Sequence, residues 1–152
     1  MQINLAHLAT ATDVLGPGRR AIVWVQGCPR RCYNCITPQM QAFIDKEWVE
    51  PAALAERIFA FGELEGLTFV GGEPFSQAQG LSELIACVQA QAELSVFTYT
   101  GHTFEQIKRR NDAWWNRLVE LSDILVDGEY VEQLACALLW RGSSNQQLYF
   151  LS

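Results

Sequence analysis

The chain has 152 residues, enough for one domain over residues 1–152, and is 49% apolar and 18% charged with a formal net charge of −6. The charged share lies below the usual figure of about 25%, which leaves apolar surface for a partner. The acidic balance without a basic cluster excludes a nucleic-acid-binding role, and no run approaches the roughly 20 apolar residues of a membrane span. Residues 1–4 lack the basic and apolar regions of a leader, so a cytoplasmic location is expected.

In chain order, residues 21–25 (Ala-Ile-Val-Trp-Val) form a continuous, partly β-branched run, as buried strands do. A helix is predicted from Pro51, a residue suited to a first helical turn, with Leu54, Ile58 and Phe61 on one face. Residues 67–70 form a second strand, and Leu81, Leu84, Ile85 and Val88 mark a second helix. Residues 94–99 form a third strand. Thr103-Phe104-Glu105-Gln106 reads as a capping box opening a further helix, and Trp115, Leu118 and Val119 carry helical spacing towards Leu121. Residues 124–126 and 147–151 complete the set of strands. Strand–helix alternation predicts an α/β fold with about five parallel strands. That is too few to close an eight-stranded (β/α) barrel, so an open partial barrel is expected, with a long loop after its first strand.

That loop holds the main chemical signal. Gly27-Cys28-Pro29-Arg30-Arg31-Cys32-Tyr33-Asn34-Cys35 has the spacing C-x3-C-x2-C. It follows a strand, and active sites of parallel α/β sheets lie beyond the carboxyl ends of strands. The chain's other two cysteines, Cys87 and Cys136, stand alone, and an odd total with three clustered does not read as a disulfide framework. Three thiolates on one loop suit an iron–sulfur cluster with one iron left open. A structural zinc site is the competing reading. It would need a fourth ligand from Cys87, Cys136, His7 or His102, none of which has a paired spacing.

C-x3-C-x2-C followed by Gly71-Gly72-Glu73-Pro74 at the end of the second strand resembles the radical S-adenosylmethionine (SAM) superfamily. The closer resemblance is to the anaerobic ribonucleotide reductase activases, the glycyl-radical-activating branch. It runs through Gly16-Pro17-Gly18-Arg19, the cysteine loop, Gly66-Leu67-Thr68-Phe69, Gly71 to Pro74, Tyr99-Thr100-Gly101, Val126-Asp127-Gly128-Glu129-Tyr130 and Arg141-Gly142-Ser143-Ser144-Asn145-Gln146. These segments follow family order and span nearly the whole chain. Three features depart from the pattern: Leu15 stands where the activases usually carry Asn, Asn34 stands where most radical SAM proteins carry an aromatic residue, and residues 136–140 form an unusual run.

The resemblance implies a [4Fe–4S] cluster on Cys28, Cys32 and Cys35, with SAM on the open iron. It places Tyr33 against the cluster, the loop backbone at Asn34 near the adenine, Gly71, Gly72, Glu73 and Pro74 at the SAM amino end, and Thr100, Gly101 and Asp127 at SAM-carboxylate or monovalent-cation contacts. Asp127-Gly128 also reads as a plain turn. Arg141 is a candidate partner for a carboxylate, and Asn145 and Gln146 for ribose or backbone, with a polar tie-down loop as the alternative. The turn at residues 16–18 leaves Arg19 available for substrate. Trp114 and Trp115 read as core or a partner-facing patch, and His7 and His102 as ordinary loop residues. The implied reaction is reductive cleavage of SAM to a 5′-deoxyadenosyl radical, which takes hydrogen from a protein or peptide. An external electron donor such as flavodoxin or ferredoxin is implied as well. The alternative within this resemblance is a maturase or splicease of a ribosomally made precursor peptide, working with a small helper subunit.

Overall fold

A computed structural model describes residues 1–152. The chain runs β1 (Ile3–Thr12), β2 (Arg19–Val25), β3 (Glu47–Val49), α1 (Pro51–Phe59), β4 (Gly66–Gly71), α2 (Ala78–Gln89), β5 (Ser95–Tyr99), α3 (Phe104–Arg110), α4 (Ala113–Leu121), β6 (Ile124–Asp127) and β7 (Gln147–Phe150). All seven strands form one sheet in the order β3-β1-β2-β4-β5-β6-β7, with β3 and β7 as open edges. No helix is long and apolar enough to cross a membrane.

The expectation of about five parallel strands needs correction. Only β2, β4, β5 and β6 are parallel, while β1, β3 and β7 pair antiparallel. A buried apolar run carries no information on direction. Residues 128–146, which lead into β7, contain no α-helix, and a parallel crossover usually requires one. The two strands at the other edge escape a sequence reading for different reasons. β1 is alanine-rich, with only Ile3, Thr10 and Thr12 β-branched, and β3 is three residues long.

Helices cover one face of the sheet. Ala21, Val23, Val25, Leu67, Phe69, Val96 and Leu125 enter a common core with Leu54 and Ile58 of α1, Leu81, Leu84, Ile85 and Val88 of α2, and Leu118 of α4. Each fully buried aliphatic side chain stabilises this layer by about 1.5–3 kcal/mol. The helix starts follow local chemistry. Pro51 opens α1, and Asp112 accepts from the Trp114 and Trp115 amides at α4. The capping box at α3 forms with Thr103 and Gln106 bonded reciprocally, at 3.0 and 3.1 Å.

The intervening residues of the same strands face the other way. There Arg20, fully buried, donates five hydrogen bonds, to Thr68 Oγ1, Ser95 Oγ and the carbonyls of Pro17, Leu67 and Ser95. Phe97 and Tyr99 stack at 5.1 Å on this side. The C-terminal ends of β2, β4 and β5 open here onto a cavity.

Candidate active site

The loop after β2 is clamped at its base. Gly27 N–H donates to Met40 O and Cys28 N–H to Gln41 O, while Gln26 Nε2 donates to the carbonyls of Gln39 and Ala42. The three thiols held by this clamp all line one cavity of about 390 Å³. They do not form a group suited to a single ion. None of the possible fourth protein ligands, Cys87, Cys136, His7 or His102, lines the cavity. A donor set of three thiols with no fourth protein ligand fits a cluster with one open iron better than structural zinc. Burial pushes the Cys28 thiol up to about 11, and the neighbouring Glu73 adds to this. Burial and then Glu129 also raise Cys32. Metal binding must therefore displace protons from these thiols.

The Gly-Gly-Glu segment is bonded directly to the cysteine loop. Gly72 N–H donates to Val25 O at 2.8 Å and Glu73 N–H to Gly27 O at 2.9 Å. Gly71 has φ +105°, and a Cβ there would lie 2.6 Å from Val25 N. A Cβ on Gly72 would collide with the Gly27 carbonyl. Both glycines thus let the end of β4 lie against the start of the cluster loop. Glu73 is 1% exposed. Its Oε1 accepts from Phe75 N and Thr100 Oγ1, and its Oε2 from Gly101 N at 2.8 Å. Burial raises its pKa, against the pull of these donors and of Arg30. One Oε2 lone pair is left for a ligand.

Arg30, which sequence reading did not assign, ties the loop to the opposite wall. Its guanidinium pairs with Glu129 and donates to His102 Nδ1 at 2.9 Å and Gln106 Oε1 at 3.1 Å. His102 is no ordinary loop residue. Its ring packs on Trp115 at 4.6 Å, and burial, with Arg30 and Arg110 nearby, lowers its pKa to about 4. His7 is exposed on β1.

Of the anticipated site residues, Cys28, Cys32, Cys35, Gly71, Gly72, Glu73, Thr100, Gly101 and Arg141 share the cavity wall. Tyr33, Asn34, Pro74, Asp127 and Asn145 do not line it. Tyr33 is 72% exposed, and Asn34 donates to Glu132. Pro74 is buried and opens a 3-10 turn. The two Asp127 oxygens accept from the Phe104 and Gln147 amides, and Asn145 donates to Glu129 O. Arg19, expected to be free for substrate, instead donates to the carbonyls of Phe61 and Glu63 near the opposite ends of the strands. An aromatic wall of Trp24, Tyr99, Tyr130 and Trp140 completes the cavity. Tyr99 OH donates to Trp140 O at 2.6 Å, and the Trp140 ring meets Phe97 edge-on. Four aromatics so far apart in sequence leave no local signal of their convergence.

Residues 14–149 match the family model described as a 4Fe-4S single cluster domain. The anaerobic ribonucleoside-triphosphate reductase-activating protein of Enterobacteria phage T4 is 30% identical, covering 97% of this chain and 94% of that protein. Its namesakes in Salmonella typhimurium and Escherichia coli K12 are 30% and 28% identical, each over 95% of this chain and 97% of the relative. Among solved structures, QueE from Escherichia coli superposes with a TM-score of 0.56 at 20% identity, over 68% of this chain and 54% of that one, a likeness of fold alone. With the three thiols and the Gly-Gly-Glu segment on one cavity, this chain belongs to the 4Fe-4S single cluster domain family and, within the radical SAM superfamily, to the anaerobic ribonucleoside-triphosphate reductase-activating proteins.

Proposed function

We propose that this radical SAM enzyme activates a polypeptide partner, a ribonucleoside-triphosphate reductase of the kind for which its relatives are named. Cys28, Cys32 and Cys35 would hold the [4Fe–4S] cluster. When bound, the cluster supplies one electron to the SAM sulfonium, yielding methionine and a 5′-deoxyadenosyl radical that takes a hydrogen atom from the polypeptide. An external donor such as flavodoxin or ferredoxin would supply that electron.

The chain's own residues hold and shield the reactants. Glu73, fixed by Phe75, Thr100 and Gly101, offers its remaining lone pair to the SAM ammonium without reorganising. Arg141 on the same wall can pair with the SAM carboxylate. The wall of Trp24, Tyr99, Tyr130 and Trp140 excludes water from one side. The helix-free face of the sheet, read as the inside of a partial barrel, stays open enough for a loop of the partner to complete the enclosure. Asp127 enters as a residue that holds the ends of β6 and β7, not as a cation ligand, because both its oxygens accept backbone amides. The names shared by the relatives favour an activase over a peptide maturase with a helper subunit.

The observation that carries this reading is the bond from Glu73 N–H to Gly27 O, which joins the Gly-Gly-Glu segment to the cysteine loop across one cavity. The test is anaerobic reconstitution followed by a 5′-deoxyadenosine assay under dithionite. The wild type should bind iron and sulfide and cleave SAM. The Cys28→Ala/Cys32→Ala/Cys35→Ala variant should do neither, and equal cleavage by both would refute the proposal.

A further inference from the structure

The two ends of the cluster loop are fixed by backbone, and its middle is not. Residues 26–28 and 37–42 are joined to each other and to the Gly-Gly-Glu segment, through the Gly27 and Cys28 amides, Gly27 O and the bond from Thr37 Oγ1 to Gly71 O at 3.1 Å. Between them, the one backbone-to-backbone hydrogen bond of residues 29–36 stays inside the loop, from Cys35 N–H to Cys32 O. The middle is tied down through side chains instead. Asn34 meets Glu132 at the exposed rim, the Cys32 thiol faces the Tyr130 amide, and Arg30 reaches three acceptors. Arg30 stands between two of the cluster cysteines, and its side chain is 19% exposed.

Two of these acceptors, His102 Nδ1 and Gln106 Oε1, belong to the turn after β5 and the helix it opens, and the third, Glu129, follows β6. The same turn holds Glu73. Thr100 Oγ1 donates to Glu73 Oε1 and accepts from His102 N–H, and Gly101 N–H donates to Glu73 Oε2. Gln106 Oε1 also accepts from Thr103 N–H, so Arg30 shares this acceptor with the capping box. The turn is itself pinned, with Thr100 N–H bonded to Val126 O, His102 O to Gly128 N–H, and the His102 ring packed on Trp115. Gly101 lets the arginine arm lie close. A Cβ there would stand 2.6 Å from Arg30 Cδ, 3.0 Å from Nε and 3.4 Å from Glu73 Oε2, so one glycine separates the arm from the carboxylate. Arg30 Nε is buried without a partner. Residues 100–106 thus form one support to which Glu73 is bonded directly and the Cys28–Cys32 segment through Arg30.

We propose, on the reading that Cys28, Cys32 and Cys35 hold the cluster and Glu73 meets the SAM ammonium, that Arg30 is the positioning residue that sets these two halves of the SAM site in register. On that reading the amino-acid end of SAM meets the cluster and Glu73 at once. A planar, charged fork on three acceptors fixes the cysteine segment as a single flexible contact does not. Without it, the segment keeps its two ends and loses its tie to the turn, so SAM makes one of the two contacts at the expense of the other. Loss of one hydrogen bond to a charged group lowers affinity about tenfold or more. Arg30 acts through the loop and the turn, not by touching SAM.

The test measures SAM binding without turnover, by equilibrium dialysis of radiolabelled SAM against the oxidised, cluster-loaded enzyme. Iron content and the EPR signal of the dithionite-reduced cluster without SAM report on the cluster itself. Arg30→Met should load iron, keep that signal and bind SAM about tenfold more weakly. It should bind 5′-deoxyadenosine, which lacks the amino-acid end, as the wild type does. Glu129→Ala/His102→Phe leaves Arg30 in place, keeps a ring on Trp115 and removes two of the three acceptors. It should weaken SAM binding by a similar factor, and adding Arg30→Met to this pair should weaken it no further. Arg30→Lys keeps the charge without the fork and should stay severalfold weaker than wild type. Unchanged SAM affinity in the variants would overturn the proposal. So would a loss in Arg30→Met alone or losses that add, which mark a direct contact with SAM, and full rescue by lysine, which marks charge alone. Iron loss in Arg30→Met and in the acceptor pair, or equal weakening of SAM and 5′-deoxyadenosine, would overturn it in favour of a scaffold role. Where only Arg30→Met fails to load iron, the acceptor pair and Arg30→Lys decide. Wild-type protein that loads the cluster and binds no SAM sinks the underlying reading, whereas wild-type binding with unaltered variants sinks only this inference.

Discussion

Along β2, Ala21, Val23 and Val25 point into the helix-covered core, while Arg20 and Trp24 of the same strand face the cavity side. The helix-covered face is apolar and held by non-directional burial. The other face is held by directional bonds, with Arg20 bridging Thr68, Ser95 and three carbonyls, and Tyr99 tethering Trp140. The first kind of surface tolerates substitutions that keep volume. The second depends on particular atoms at particular places. Both faces should therefore contribute stability, one through volume and the other through particular bonds, while the chemistry is confined to the second, and substitutions can test that division.

The largest effect is expected at Gly72. A methyl group there meets the Gly27 and Met40 carbonyls, which belong to backbone that has no room to move without shifting the cluster loop. Gly72→Ala should lower reconstituted iron content and reduce SAM cleavage by about a hundredfold, the scale set by ångström misplacement of reacting groups. Far-UV circular dichroism should stay near wild type, because the helical layer is untouched. Unfolding of the whole chain by this one methyl group would show that the two faces are not separable.

Arg20→Met and Leu84→Ala probe the two faces by stability alone. The first removes five hydrogen bonds made by a buried charged group and should lose about 3 kcal/mol or more. The second opens a cavity under α2 and should lose about 2–5 kcal/mol. Urea unfolding measures both. Iron content of folded protein should be preserved in Leu84→Ala. A large loss of iron there would show that the helix layer governs the loop as well.

The same division explains what was legible in the sequence. Leu54, Ile58, Leu81, Leu84, Ile85 and Val88 announce their helices because burial against a sheet imposes a 3.6-residue period. Cys28, Cys32 and Cys35, and Gly71 to Glu73, are visible because each set lies in one short stretch. The aromatic wall, the Arg30–His102 contact and the buried Arg20 are not visible, since their partners are distant in sequence and come together only through the sheet. The antiparallel β7 lies between these cases. Its run was readable and its direction was not.

A smaller effect is expected from pH. Burial holds the Cys28 thiol at about 11 in the folded, cluster-free chain, above the ordinary thiol value of about 8.5, and raises Cys32 in the same direction. The unfolded chain therefore loses these protons first as pH rises. The contribution to stability is fully present below about pH 8.5 and is lost as pH rises through 11. Thermal melts of the cluster-free protein should show its midpoint falling across this window. The cluster-loaded protein should lack this thiol-dependent fall, because its sulfurs carry no exchangeable proton. A Leu84→Ala background should shift both curves down without changing their difference, since no titrating group on the helix face is involved.

The smallest effect is expected at Leu15, and it addresses where the two kinds of surface meet. Leu15 has φ +56°, a left-handed conformation that disfavours most side chains by about 1–2 kcal/mol and that Asn tolerates. This accounts for the Asn that related activases usually carry at this place. Yet Leu15 also lines the cavity, and its carbonyl accepts from Thr68 Oγ1, the hydroxyl that in turn accepts from Arg20. Leu15→Asn keeps that carbonyl, relieves the backbone and removes an apolar contact from the cavity. It should raise stability by about 0.5–1 kcal/mol while weakening whatever ligand the aromatic wall holds. A thermal melt together with the Michaelis constant for SAM reads both quantities. A gain in stability with unchanged SAM affinity would assign Leu15 to the scaffold. A gain with weakened affinity would mean that this chain keeps a strained backbone because its cavity uses the side chain.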